Sequence, residues 1–512
     1  MESASIAADV AATVDTSAPG AKGLKAGAIG YMSNVVIAVA STAPAYSLAT
    51  TLGFVVAVGG MTTHAPAVLL VSFVPILFIS AAYRYLNLAD PDAGTTFAWT
   101  TRALGPIVGW INGWAIVLAD VIVMASLADI ASVYTFDLVG WTSASHSTAA
   151  IAIGCVVWIA LMTWICYRGI ELSARIQMLL LSLEVVVLVI FAVVALVNVY
   201  SGHLHGSIEP QASWFNPFWN LKSLILGILL GIFIYWGWDS GVAVNEESEN
   251  AAEGPGRAAV VSTVLLLLIY VTVGAAAQAD AGTHFLVNHD SDILSALGTR
   301  VFGSGVLQKL LLFCVLTSAS ASTQTTILPT ARTTISMANW GALPKAFARV
   351  HPRFQTPSVS TLAMGGVSIV WTLALILFNQ SGDILSDSIT GLGFSILFYY
   401  GFTGLACAVY YRRELFKSAY RAIFVGLVPM LGFVGMGFVF VKSWITISTT
   451  PGYNYSPPLL GIQVPIVIGI GGLLLGFVFM AAQWMFMPDY FKRRMQTADP
   501  AILAEHLDHV EA

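Results

Sequence analysis

The sequence predicts an all-α integral membrane protein of twelve transmembrane helices, arranged as two inverted five-helix repeats with two helices appended. Three observations predict it. Of 512 residues, 57% are hydrophobic and only 10% charged, against about 25% charged in soluble domains. Apolar stretches of the ~20 residues needed to cross a bilayer recur along the chain. The first and sixth of them are interrupted at matching positions five helices apart, which marks an inverted repeat with a site at the bilayer midplane.

Twelve spans can be placed, over 27–57, 64–86, 99–136, 149–167, 176–200, 222–249, 257–279, 304–337, 359–378, 387–411, 422–444 and 462–487. Repeat one covers about 27–200, repeat two about 222–411, and spans eleven and twelve about 422–487. The longest connection is 280–303, and no extramembrane stretch can hold a second folded domain. Residues 1–26 are Ala/Ser/Thr-rich without an apolar run and read as a disordered cytoplasmic tail; 488–512 read as a short cytoplasmic tail. With both termini inside, the cytoplasmic segments hold 18 of the 22 basic residues, and only Lys222, Arg300, Lys309 and Lys442 fall on the other side. That asymmetry sets the orientation; the short loops and the absence of a cleavable leader suggest a prokaryotic inner membrane.

Composition also excludes. A formal charge of −5 without a basic block offers nothing to nucleic acid. Cys155, Cys166, Cys314 and Cys407 all lie in apolar spans, so neither a disulfide framework nor a zinc site is expected. No metal, no cofactor and no enzymatic nucleophile–base pair is expected.

The break in span one is Ala40-Ser-Thr-Ala-Pro-Ala-Tyr-Ser47. Pro44 removes a backbone donor and disrupts the helix before it. The break in span six is Trp236-Gly-Trp-Asp-Ser-Gly241. A carboxylate between two glycines at bilayer depth is costly unless it meets protein, water or ligand, and irregular backbone there must line a cavity.

Gly105-Pro-Ile-Val-Gly-Trp110, Glu171-Leu-Ser-Ala-Arg175 and Tyr235-Trp-Gly-Trp-Asp239 with Glu246-Glu247 occur in an order that resembles the amino acid–polyamine–organocation permeases. The resemblance runs from about residue 27 to 487 and implies the leucine-transporter-type fold. It implies a substrate site between the two breaks, made by Ser41, Thr42, Ala43, Tyr235, Trp236, Gly237 and Asp239, with Asp120 of span three at the substrate's distal end. Where the family commonly has a Gly-Ser-Gly-type turn that holds a carboxylate, this chain has Ser41-Thr-Ala-Pro-Ala45, with one donor fewer.

Four acids lie within spans without a Lys or Arg deep enough to pair: Asp120, Asp129, Glu184 and Asp239. Each must be protonated, wet or bound to a cation. Asp239 either caps the following half-helix or contacts substrate or gate, and Trp236 could close over an amine. Asp129 lies nine residues beyond Asp120, about half a turn round the helix, and is expected near the outer surface. Glu184 falls where proton-coupled relatives tend to carry a lysine, which makes it the candidate for proton coupling; the plainer alternative is a neutral acid bonded to span one or eight. The row Thr317-Ser-Ala-Ser-Ala-Ser-Thr-Gln-Thr-Thr326 reads as close helix packing.

The expected function is a secondary-active importer of an amino acid or organic amine, driven by protons, with a cationic substrate such as a polyamine or basic amino acid favoured. A neutral amino-acid permease or exchanger is the alternative. A channel is the rival of another class, although channels usually need repeated pore-lining rings. The expected partners are the substrate, protons and the lipid bilayer; the oligomeric state stays open.

Overall fold

The computed structural model describes residues 22–202, 206–289, 293–378, 384–449, 456–493 and 507. Among these, twelve helices are long and apolar enough to cross a membrane: Tyr31–Ala57, Ala65–Ala89, Pro106–Leu138, Thr148–Arg168, Ile170–Tyr200, Leu221–Ala243, Gly254–Asn288, Val306–Asn339, Ser358–Leu377, Asp387–Tyr410, Arg421–Thr449 and Val464–Phe486. They are spans one to twelve in that order. No strand occurs among the described residues, only isolated bridges.

Spans one and six form the centre. Their apolar windows are 94% and 89% buried, against 33% for spans eleven and twelve, which lie outside. Span two packs on seven, three on eight and four on nine, and the two halves of span one meet those of span six. Spans one to four therefore each touch the one five places later, as elements close to a pseudo-two-fold axis do.

Three details differ from the sequence reading. The stretch 99–136 is two helices, Thr96–Leu104 and Pro106–Leu138. Gly105 between them has φ +98°, a region glycine enters freely, and Pro106 starts the second helix at a position that needs no donor. The connection 280–303 is largely helical: span seven runs on to Asn288 past a kink at Gly282, and a further helix covers Ile293–Phe302. Finally, residues 22–26 belong to the fold, not to a disordered tail, because Lys22 and Leu24 are buried. The reason is electrostatic and is given below. The rest of that tail, residues 1–21, lies outside the described residues. So does most of 494–512, including Arg494. Before it, Tyr490 is buried, bonded to Thr101 and to the Pro106 carbonyl at 3.0 Å each.

Candidate functional site

In span one the helix stops at Ser41 and restarts at Pro44. Ala43 between them sits in left-handed backbone, φ +46°, which costs a non-glycine residue and persists only where its surroundings enforce it. The amides at this turn are committed. Thr42 N–H donates to the Val39 carbonyl, Ala43 N–H to that of Ala40 and Ser47 N–H to that of Ala43. Pro44 has none to offer. Ala45 N–H donates to the Glu184 carboxylate at 2.7 Å, and Tyr46 N–H to the Ser318 hydroxyl at 3.2 Å. Ser318 also donates to the same Glu184 oxygen, at 2.7 Å. The N-terminus of a half-helix attracts an anion; here a carboxyl group of the protein itself occupies that place. Glu184 is fully buried, and its Oε2 has no hydrogen-bond partner among the described residues.

Span six breaks where Trp236 turns extended and Gly237 takes φ +115°. A Cβ on Gly237 would stand 2.8 Å from the Ser41 carbonyl oxygen, and one on Gly241 2.6 Å from that of Asn34. The two glycines thus let the broken helices touch. Ser41 and Ser240 share a hydroxyl bond at 2.8 Å, and Ser322 of span eight donates to the Ser41 carbonyl at 2.8 Å. The small-residue row of span eight therefore bonds the break in span one, Ser322 as a donor and Ser318 as an acceptor, as well as forming a packing face.

Asp239 stands at the N-cap of the short helix Ser240–Ala243, yet its carboxylate makes no capping bond. It accepts instead from three phenols, Tyr400 at 2.9 Å, Tyr399 at 3.1 Å and Tyr83 at 3.5 Å. Those rings form a box with Trp238, which lies 4.9 Å from Tyr83 and 5.3 Å from Tyr400 between centroids. Trp236 donates through Nε1 to the Tyr399 hydroxyl. Tyr235 meets Tyr270 edge-on at 5.1 Å, and Tyr270 bonds the Thr42 carbonyl at 3.3 Å. The Tyr235 hydroxyl itself is buried without a partner among the described residues.

Of the residues singled out in the sequence, the structure brings Ser41 and Gly237 into contact, and it joins Thr42 to Tyr235 through Tyr270. Asp120 is buried and accepts a hydrogen bond from Thr330 of span eight. Its hydrogen-bond donor differs from those of Asp239, and Asp129 is half-buried. Sequence reasoning missed Tyr83, Tyr399, Tyr400, Thr330 and Ser318. The adjacent tyrosines 399 and 400 inside an apolar span were the available signal, since a buried phenol needs a partner.

A second group of acids gathers at the Lys22 end. Lys22 Nζ reaches Asp92 at 2.7 Å and Glu246 at 2.5 Å. Arg332 clasps Glu247 with two bonds, Nε at 2.8 Å and Nη2 at 3.0 Å. Ser336 donates to Asp92 at 2.7 Å, and the Ala93 amide to Glu246 at 2.8 Å. Burial opposes charge on both Lys22 and Asp92. The ammonium nevertheless holds the Asp92 carboxyl below its ordinary 3.8, and the two carboxylates hold the ammonium above its ordinary 10.5. This is why residues 22–26 are drawn into the fold. The cluster ties the N-terminal segment, the 90–95 connection, the end of span six and span eight together. Among the described residues, no group of three His, Cys, Asp or Glu side chains could hold a metal.

Comparison with known proteins agrees with this architecture. The model of a family described as amino acid permease matches residues 29–470. The chain is 26% identical over 431 residues to the Asc-type amino acid transporter 1 of Mus musculus, covering 80% of this chain and 77% of that protein. It is 22% identical to the methylthioribose transporter of Bacillus subtilis, over 77% of this chain and 87% of that one. It is 23% identical to the branched-chain amino acid permease BcaP of Lactococcus lactis, over 71% and 78%. Among solved structures, MhsT in complex with L-phenylalanine superimposes with a TM-score of 0.56 at 14% identity, covering 80% of this chain and 98% of that one. The fold is the leucine-transporter type.

Proposed function

We propose that this chain, which belongs to the amino acid permease family, imports its amino acid or organic amine substrate by proton-driven alternating access. It is a multi-pass membrane transporter and not an enzyme. Spans one, two, six and seven would rock against the remainder, with substrate between the breaks at Ser41–Ala43 and Tyr235–Asp239 and Asp120 beside it. The 18 to 4 partition of basic residues supports cytoplasmic termini.

The observation that supports proton coupling is the grip of Glu184 on span one. A charged carboxylate holds the Ala45 amide and the Ser318 hydroxyl by charge-assisted bonds, roughly twice as strong as neutral ones. Protonation removes that charge and loosens the second half of span one from spans five and eight. Among the described residues no Lys or Arg bonds Glu184, so the proton is the charge that can come and go.

A cationic substrate is supported by Asp120 and Asp239, two buried acids met only by hydroxyl groups among the hydrogen bonds of the site. An ammonium between the breaks would supply the missing positive charge. The committed amides of residues 42–47 favour the same reading, because they leave little for a substrate carboxylate. A neutral amino acid is the second reading. It is favoured by the three phenols on Asp239, which satisfy that carboxylate within the protein, and by a branched-chain amino acid permease among the relatives.

Uptake of radiolabelled putrescine, lysine and alanine into proteoliposomes, with and without an inward proton gradient, separates the two. Gradient-driven putrescine or lysine uptake that Asp120→Asn abolishes supports the cationic substrate. Gradient-driven alanine uptake that survives the substitution leaves the neutral permease and makes Asp120 structural.

A further inference from the structure

Away from the two breaks lies a cleft of about 540 Å³, walled by spans three, eight, nine and twelve. Sites that hold small molecules run from about 300 to 1,000 Å³. Trp114 and Val121 of span three, Thr330 and Met337 of span eight, Val367 of span nine and Phe486 of span twelve mark its walls. Val367 and Phe486 are 54% and 80% exposed, so the cleft opens on the face that meets hydrocarbon. Whatever fills it enters from the bilayer and presents an apolar body.

The lining itself carries no charge, but cations lie just behind it, around Trp340. Trp340 packs in the same apolar cluster as Trp110 and Met337, which line the cleft. Two guanidiniums lie over its ring, Arg102 at 4.9 Å and Arg493 at 5.3 Å from the centroid. Arg102 is paired with Asp90 at 2.7 Å. Arg493 has no carboxylate partner among the described residues, so the two cations over this ring share one described carboxylate, Asp90. The segment that closes this end places Phe347 in the cleft wall between the exposed Lys345 and Arg349. An apolar slot opening on lipid beneath a cluster of cations is complementary to an acyl chain below an anionic headgroup.

We infer that the cleft holds one acyl chain of an anionic membrane phospholipid, whose phosphate rests on Arg493 and Arg102 above Trp340. Guanidinium groups match phosphate oxygens with two parallel donors, and the chain fills the space between the four spans. The same chain lies against Thr330, the residue that holds Asp120, so the lipid touches the wall of the candidate substrate site from behind.

The test is native mass spectrometry of the full-length protein in mild detergent, with phosphatidylglycerol or phosphatidylcholine added at equal concentration. The wild type is expected to retain one phosphatidylglycerol in preference to phosphatidylcholine. Arg493→Gln, on the surface, is expected to lower that retention about fivefold, the weight of one cation against an anionic surface. Val367→Trp, which fills the cleft, is expected to abolish it while thermal unfolding stays near that of the wild type. If Val367→Trp does not fold, Arg493→Gln alone decides. Equal retention of the two lipids, or phosphatidylglycerol retention that Arg493→Gln leaves unchanged, overturns the inference. A dimer lost in Val367→Trp with lipid retention unchanged overturns it too, and makes a second copy the occupant.

Discussion

Two groups of buried carboxylates divide the molecule. At the Lys22 end, Asp92, Glu246 and Glu247 meet Lys22 and Arg332 within 3.0 Å. At the centre, Asp120, Glu184 and Asp239 meet only hydroxyls and one amide in the hydrogen bonds of the site. Burial is nearly equal in the two groups, so the difference lies in the partners. A buried acid with a fixed cation is a fastening. A buried acid with neutral donors is a vacancy for charge, and a proton or a cationic substrate can fill it. In the proposed cycle the first group joins spans that would part when the Lys22 end opens. The second lies around the proposed substrate site.

Breaking a fastening should cost most. Arg332→Met leaves Glu247 buried and unpaired, and a loss of about 3–5 kcal/mol is expected, read as a fall in the unfolding temperature of the detergent-solubilised protein. Adding Glu247→Met should recover most of it, since two apolar side chains replace a buried pair at little cost. A double variant as unstable as the single one would mean that Arg332 acts through packing.

At the centre the effect should be smaller. Tyr400→Phe removes one of three phenols from Asp239, a bond to a charged acceptor worth about 1.5–3 kcal/mol. Uptake should fall with it, and Tyr83→Phe, whose bond is the longest at 3.5 Å, should matter least of the three. An equal loss from each phenol would count against a graded role.

Acidity distinguishes the two regions with the smallest effect on stability. Asp92 is held below 3.8, so its contribution is complete above that value and fades as pH falls through the lowered one. Lys22 is held above 10.5, so its contribution is complete below that value and fades as pH rises through the raised one. Burial pushes Glu246, the other carboxylate on Lys22, up to about 7, so the deficit of Lys22→Met in unfolding temperature should grow as pH rises through neutrality, where Glu246 takes on the charge that the ammonium balances. A deficit that stays constant through neutrality would contradict a titrating Glu246 in the cluster.

The spans and both breaks were legible in the sequence because hydrophobic runs, Pro44 and the Gly237–Gly241 pair act locally on the backbone. Ser41 and Gly237 could be placed side by side for the same reason, once the two breaks were matched. The partners were not legible. Lys22 and Glu246 are 224 positions apart, and Asp239 and Tyr400 are 161 apart. Only packing decides which donor reaches a buried carboxylate at such separations. Glu184 shows both sides: its depth in span five and its reach to spans one and eight were readable, whereas the particular bond to the Ala45 amide depends on how span one breaks. The cap suggested for Asp239 failed because three phenols outcompete the amides of a four-residue helix.

The most direct test of proton coupling compares wild type and Glu184→Gln in proteoliposomes for gradient-driven uptake and for counterflow of a substrate that the wild type accumulates. Glutamine keeps the shape and the hydrogen bonds but cannot exchange a proton. The expected result is that Glu184→Gln loses gradient-driven accumulation and retains counterflow. Accumulation by the variant that still follows the proton gradient would contradict the role given to Glu184.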